Sequence, residues 1–284
     1  MFRKLADGAA LAAIYLSAFF SVILLSVILA YVLAKGIPAV RWSFLTTVTS
    51  VLRGTVGIAG NLVNTVYMVV LTLGIAVPVG IGSAVWLNEY AGRGKAVEAI
   101  EFAMETLAAI PSVVFGLFGM VFFGTTLGFG YSLLTGALTL TLMVVPLITR
   151  NTQEALRAVP ETYRTGAAGM GAGKWYMIRT ILLPAAAPGI VTGIILAVGR
   201  IAGESAALLL TAGSGYLLPE SGRGILRKVM ESGGTLAVQM YLSMSKAEYD
   251  TVFGIAVVLL CLVFVLNFLT HVLLKRTGGR GRHK

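Results

Sequence analysis

The sequence predicts an all-α protein built from six membrane-spanning helices, and three observations carry that reading. Only 12% of its 284 residues are charged, where a soluble domain carries roughly 25%. Mean hydropathy is +0.89, and 57% of the residues are hydrophobic. Six segments, about 9–34, 62–87, 107–124, 130–149, 186–212 and 252–274, are apolar over the ~20 residues that a helix needs to cross a bilayer.

The first segment, in "MFRKLADGAALAAIYLSAFFSVILLSVILAYVLAKG", is longer than the usual ~7–15-residue apolar stretch of a signal peptide, and no A-x-A-like cleavage site follows it. It reads as a signal-anchor helix. The second holds Pro78 in "GIAVPVGIGSA", and Pro111 lies near the start of the third. A proline removes a helix donor, so kinks are expected at both. Glu98, Glu101 and Glu105 recur at helical spacing before the third span. With no acid–base partner or metal ligand beside them, they read as a solvated face.

In the fifth segment small residues recur every fourth position: Gly189, Gly193 and Ala197 on one face, Gly199, Gly203 and Ala207 on another. Such rows let helix backbones approach closely in lipid, so this helix is expected to be packed on both sides. Two connections, 150–185 and 213–251, are long and too polar to span. The second is expected to hold a short amphipathic segment near 222–244.

Lys and Arg set the orientation. With the N-terminus inside, 14 basic residues fall in cytoplasmic segments, and 7 (Lys35, Arg41, Arg53, Arg223, Arg227, Lys228 and Lys246) fall outside. Arg200 alone is left in a span. Both termini are therefore expected in the cytoplasm. Five basic residues in the last ten, Lys275, Arg276, Arg280, Arg282 and Lys284, suit an anchor beside anionic headgroups. The net charge of +10 is not gathered on one polar face, which argues against nucleic acid. Cys261 has no pairing partner in the chain. His271 and His283 lack companions at ligand spacing, so no metal site is expected.

The fifth segment also holds the residues least suited to lipid. In "GIILAVGRIAGESAALLLTA", a helix entering near Ala187 carries Arg200 about 20 Å in, close to the midplane. Glu204 would follow one turn on and on the same face. An arginine at that depth costs roughly 2.5–3.5 kcal/mol on insertion scales, so it needs a partner or a polar path. One reading is a mutual ion pair. The other is a water-filled path where the guanidinium fork meets an oxyanion, with Glu204 holding Arg200 in place or pairing with a neighbouring subunit.

In the 150–185 loop, "GMGAGKW" has the look of a phosphate-binding P-loop but fails its pattern. Ala168 stands where a glycine is required, and Trp175 where Ser or Thr is. The loop instead resembles the "EAA" loop of ABC-importer permeases, which has Glu-Ala-Ala, a glycine four residues after the last alanine, and a later Leu-Pro. In "VPETYRTGAAGMGAGKWYMIRTILLPAAAPGIVTG", Ala167, Gly171, Leu183 and Pro184 fall in register. Thr165 and Gly166 occupy the first two positions, so the glutamate is absent. Tyr163, Trp175 and Tyr176 offer aromatic anchors for a partner.

"TLAAIPSVVFGLFGMVFF", "GRIAGESAALLLTA" and "RGTVGIAGNLVNTVYMVV" are similar to the permeases of the phosphate ABC importer, closest to the PstA type. The resemblance implies a type I permease fold in a single domain over 1–284, lodged in a prokaryotic cytoplasmic membrane. It makes 150–185 a cytoplasmic loop that docks on an ATPase and 213–251 an extracytoplasmic loop that meets a partner. It also implies a second permease subunit (PstC-type), two ATPase subunits (PstB-type) holding ATP and magnesium, and an extracytoplasmic phosphate-binding protein (PstS-type). No cofactor and no enzymatic step belong to this chain. The family's intramembrane arginine, on the anion path, maps onto Arg200. Competing readings are a permease for sulfate or molybdate, or an ion-coupled secondary transporter. The latter predicts inverted repeats with broken helices in corresponding halves, which the sequence does not display.

Overall fold

A computed structural model of the protein describes residues 2–50, 55–92, 94–216 and 225–278. Arg53, Arg93, Arg223, His283 and the basic residues Arg280, Arg282 and Lys284 lie outside the described residues, as do residues 222–224 of the expected amphipathic segment.

Helix α1 (Phe2–Gly36) has no proline or glycine from Ala9 to Lys35, and none of the described residues buries its apolar window. It touches the bundle at its end. A Cβ on Gly36 would collide with the Phe253 carbonyl, so glycine permits the contact with the last helix. A short α2 (Trp42–Thr46) follows, then an antiparallel pair, β1 (Val48–Ser50) and β2 (Thr55–Ile58), in register Val48↔Ile58 and Ser50↔Thr55. This pair is the departure from an all-helical chain, and its Val, Thr and Ile suit a pleated surface.

The second span is α3 (Ala59–Val85), continued by a π turn over Trp86–Tyr90. Pro78 lies inside it on an exposed side and does not end the helix. Pro111 does break its element. Helix α4 (Lys95–Ala109) and helix α5 (Ser112–Gly119, continued by a π turn to Thr126) are bent by 102° at Ile110–Pro111. Proline has no N–H for the Leu107 carbonyl, and it favours an extended residue before it; Ile110 has φ −68° and ψ 132°. The expected third span, 107–124, is therefore not one straight helix.

Helix α6 (Leu133–Arg157) is capped by the Ser132 side chain, which accepts from the Thr135 N–H at 3.2 Å. It runs eight residues beyond the expected end at 149. After α7 (Glu161–Gly169), helix α8 (Lys174–Met177) passes through a π turn at Ile178–Leu182 into α9 (Leu183–Gly203). The turn widens just before Pro184, which cannot donate to the Thr180 carbonyl. So the expected 150–185 loop shrinks to 158–173, because helix claims both flanks.

The remaining elements are α10 (Ala206–Thr211), α11 (Ile225–Val229), α12 (Leu236–Ser245) and α13 (Tyr249–Gly278). Among the described residues, five helices are long and apolar enough to cross a membrane, and the bent α4–α5 pair makes a sixth if counted as one span. Helix α6 is the most buried of the long helices, packed between α3 and α9, with α13 against α9 and α1 against α13. The main core gathers Met68, Leu140, Val144, Ile148, Val198, Ile201 and Leu208. A second core at the α7 end gathers Val85, Leu156, Ala167, Ile178, Leu182 and Ile190.

Candidate functional site

Two glycines set how α9 lies on α6. A Cβ on Gly189 would stand 2.5 Å from the Ala155 Cβ, and one on Gly193 would stand 2.7 Å from the Asn151 Cβ. The helices are antiparallel and pack there by backbone approach. Ala197, the third residue of this row, is fully buried. Continued two turns on, the register sets Arg200 roughly level with Val144. Val144 is one residue from the midpoint of α6, so Arg200 lies at mid-depth in the bundle.

The second row behaves otherwise. Gly199 and Gly203 have no neighbour within 4 Å of a would-be Cβ, while Ala207 is buried beyond the end of the helix. Helix α9 thus packs against α6, α3 and α13, but among the described residues its second small-residue row is left open, where both rows were expected to be filled. Thr192, Leu196, Arg200 and Gly203 are exposed along its open side. Arg200 makes no ion pair or hydrogen bond among the described residues.

Glu204 is not where the sequence places it. Helix α9 ends at Gly203, and Glu204 is extended, with φ −76° and ψ 123°. The predicted continuous span to residue 212 is broken there, so Arg200 and Glu204 do not share a helical face. The Glu204 carboxylate instead accepts the Ala207 N–H at 3.2 Å, in the first turn of α10. An orphan helix donor is a ready partner for a carboxylate, and Gly199 and Gly203 make the end of α9 easy to stop.

At the opposite end of α6 the chain turns through 158–173. Helix α7 closes with a Schellman motif. The Ala172 N–H donates to the Ala167 carbonyl at 3.0 Å, and the Gly171 N–H to the Ala168 carbonyl at 2.9 Å. Gly171 has φ +76° with open space around it, so conformation rather than crowding demands glycine. Ala167 is buried in the second core and pins α7 to the bundle. Tyr163, Met170, Trp175 and Tyr176 are all at least half exposed. Thr165 and Gly166 are exposed too, and Thr165 bonds back to the Glu161 carbonyl at 3.2 Å, so it supplies no substitute for a carboxylate. Leu183 is half-buried, and Pro184 sits exposed at the start of α9.

Sequence reasoning missed the most connected side chain of this end, Arg164. Its guanidinium donates to Glu89 at 2.9 Å, to Glu161 at 3.2 Å, and to the carbonyls of Leu156 at 3.0 Å and Val159 at 3.2 Å. It thereby joins α7 to the end of α6 and to the π turn that ends α3. The Glu89 side chain is 5% exposed and that of Arg164 17%. The hydrogen bond with Glu89 raises the Arg164 pKa above its already high usual value. The one legible signal was Glu161 three residues before Arg164, a helical pairing distance. Beside it, the Lys174 ammonium lies 4.8 Å over the Tyr90 ring, a cation–π contact between α8 and the same end of α3.

Two further clusters were legible only in part. Glu105 pairs with Arg150, and Glu101 with Arg157 at 3.4 Å, so two of the three predicted solvated carboxylates meet cations on α6 while staying exposed. The 213–251 connection holds buried structure: Leu236, Ala237, Val238 and Gln239 of α12 are buried. The Asn61 amide donates to the Gly234 carbonyl at 2.9 Å, and that of Asn64 to the Gly215 carbonyl at 3.3 Å. No cluster of metal-ligating side chains occurs among the described residues.

Residues 76–279 match the family of binding-protein-dependent transport system inner membrane components. A probable ABC transporter permease protein of Bacillus subtilis, YqgI, is 37% identical over 75% of this chain and 72% of its own. The phosphate transport system permease protein PstA of Xylella fastidiosa (strain Temecula1) is 35% identical over 74% and 73%. Among solved structures, a chain of a bacterial alginate ABC transporter, in complex with an alginate pentasaccharide-bound periplasmic protein, superposes over 98% of both chains. Its TM-score is 0.69 at 15% identity, a likeness of fold alone. With a match over most of its length and relatives above 30% identity, this chain belongs to the binding-protein-dependent transport system inner membrane components, the permeases of ABC importers.

Proposed function

We propose that this chain is the PstA-type permease of an ATP-driven phosphate importer, with Arg200 on the anion path. The observation that carries the reading is Arg200 itself: a cation at mid-depth of the bundle, on the open side of α9, with no partner among the described residues. An arginine at this depth is costly in hydrocarbon, and its fork of donors suits an oxyanion. A second permease subunit on the open face would turn that face into a channel wall, where Gly199 and Gly203 leave room for ions and water. Glu204 serves as the cap of α10 and not as the counter-ion. The phosphate permeases among the relatives support phosphate over other oxyanions.

In this reading both termini and the 158–173 turn face the cytoplasm. The exposed aromatics of that turn and of α8 dock on an ATPase subunit, which holds ATP and magnesium. An extracytoplasmic phosphate-binding protein delivers the anion at the α12 end. The test is uptake of labelled anion into ATP-loaded vesicles containing this chain and its partner subunits. Phosphate uptake that requires ATP and the binding protein is the expected result. Uptake of sulfate or molybdate instead keeps the architecture and changes the substrate. Uptake by this chain alone on an ion gradient would overturn the reading.

A further inference from the structure

We infer that Arg164 is the joint through which movement of the 158–173 turn reaches α3, and that it acts through Glu89 and not by touching the ATPase. The inference rests on the importer reading above but not on the identity of the anion. Four acceptors from three elements converge on one guanidinium: Glu161 of α7, the Leu156 carbonyl at the end of α6, the Val159 carbonyl just beyond it, and Glu89 beyond α3. The other contacts at this end are less directional: Lys174 rests over the face of the Tyr90 ring, and the turn itself packs on the bundle by apolar burial. Ala167 packs by apolar contact among Val85, Leu156 and Met177, a surface across which a helix can slide. A charge-assisted hydrogen bond is short and directional, and Glu89 is nearly enclosed. Displacing α7 must therefore drag Glu89 or break the pair, and breaking it leaves a nearly enclosed carboxylate without its counter-ion, held among the described residues only by the Asn88 amide at 2.7 Å.

Glu89 is also placed to move as part of a hinge. It lies in the π turn Trp86–Tyr90, where the helix ladder is already loosened. The α3 face that follows packs on α6 through Gly80, whose Cβ would stand 2.7 Å from Ile148. Movement of Glu89 thus passes into the α3–α6 contact near the middle of the bundle. The exposed aromatics Tyr163, Trp175 and Tyr176 remain free to face a partner, so docking and transmission fall to different residues of one turn. Arg164 is then a positioning residue.

The assembled importer with its binding protein, reconstituted in vesicles, tests this with Arg164→Gln, Arg164→Lys and Glu89→Gln. Three quantities are read: ATPase co-purification, ATP hydrolysis, and anion taken up per ATP, using whichever anion the unaltered importer carries. Both Gln variants are expected to co-purify with the ATPase and to hydrolyse ATP, while uptake per ATP falls about tenfold or more. Lysine keeps the charge but cannot hold four acceptors at once, so Arg164→Lys should fall between. Unchanged uptake per ATP in Arg164→Gln overturns the inference. Loss of co-purification in proportion to loss of uptake also overturns it, since Arg164 would then merely fold the docking surface. An unaltered importer that carries sulfate in place of phosphate corrects the substrate and leaves this test intact.

Discussion

Arg200 and Glu204, four residues apart in sequence, are separated by the end of a helix. Arg200 occupies the last turn of α9, whereas Glu204 is extended and caps α10 through the Ala207 N–H. The two therefore answer differently to substitution. Arg200→Gln should abolish uptake while the chain still inserts and assembles, and Arg200→Lys should retain a remnant, lower by about tenfold, because the planar fork is gone. Glu204→Gln keeps a capping oxygen and should transport nearly as well as the unaltered chain. Glu204→Ala should lose ~1 kcal/mol of stability, the usual cost of a cap. Uptake assays paired with thermal unfolding in detergent separate these outcomes. Equal loss of uptake in Arg200→Gln and Glu204→Gln would restore the ion-pair reading.

Gly193 and Gly199 distinguish the two sides of α9. Gly193→Leu drives a side chain into Asn151, and overpacking of this kind costs typically ~1–3 kcal/mol. Gly199→Ala meets nothing within 4 Å and should leave the isolated chain unchanged or slightly more stable. Unfolding of the isolated chain and of the assembled importer should be compared. A defect of Gly199→Ala that appears only on assembly would place a partner subunit on the open side.

How far these features can be read from sequence depends on whether their cause is local. The apolar runs, the Pro111 bend and the demand for glycine at position 171 all follow from short-range rules, and each is present. Helix ends were harder. Residues 150–157 look polar, yet they continue α6 because Thr152, Gln153 and Leu156 are buried against neighbours. Glu204 looks like an interior residue of a long apolar run, yet its carboxylate finds an N–H three residues on. The Arg164–Glu89 pair spans 75 positions, and nothing in the periodicity of either segment points to the other. The small-residue rows were equally clear in sequence, but only the structure tells a row filled by α6 from one left open.

The 158–173 turn and the α8 that follows it offer two substitutions with distinct consequences. Gly171→Ala must hold a Cβ at φ +76°, which costs roughly 1–2 kcal/mol and should loosen the turn without removing any contact side chain. Trp175→Ala removes an exposed aromatic and leaves the turn folded. Interface aromatics of this kind are worth more than ~1 kcal/mol when they anchor a partner, so ATPase co-purification should fall at least fivefold. Proteolysis of the turn in membranes should accelerate for Gly171→Ala only. If Trp175→Ala leaves ATPase binding unchanged, the ring sits among lipid headgroups instead.

Helix α12 is held by hydrogen bonds as well as by burial, and the two contributions can be separated. Asn61 and Asn64 both donate to the Gly234 carbonyl, at 2.9 and 3.2 Å, and Asn64 also reaches the Gly215 carbonyl. The Leu236 N–H at the start of α12 donates to the Thr65 hydroxyl at 2.9 Å. A buried carbonyl deprived of its donor costs ~1–3 kcal/mol, so the Asn61→Ala, Asn64→Ala double variant should release this end of α12. The apolar contacts of Ala237 and Val238, both essentially buried, would remain. A single reporter thiol resolves the matter: Leu236→Cys in a chain carrying Cys261→Ser, probed with a membrane-impermeant maleimide. With both asparagines present the thiol should react slowly, and in the double variant at least several-fold faster. Equal slow rates would mean that burial alone secures α12, leaving the asparagines to set the path of residues 213–216 and 233–235.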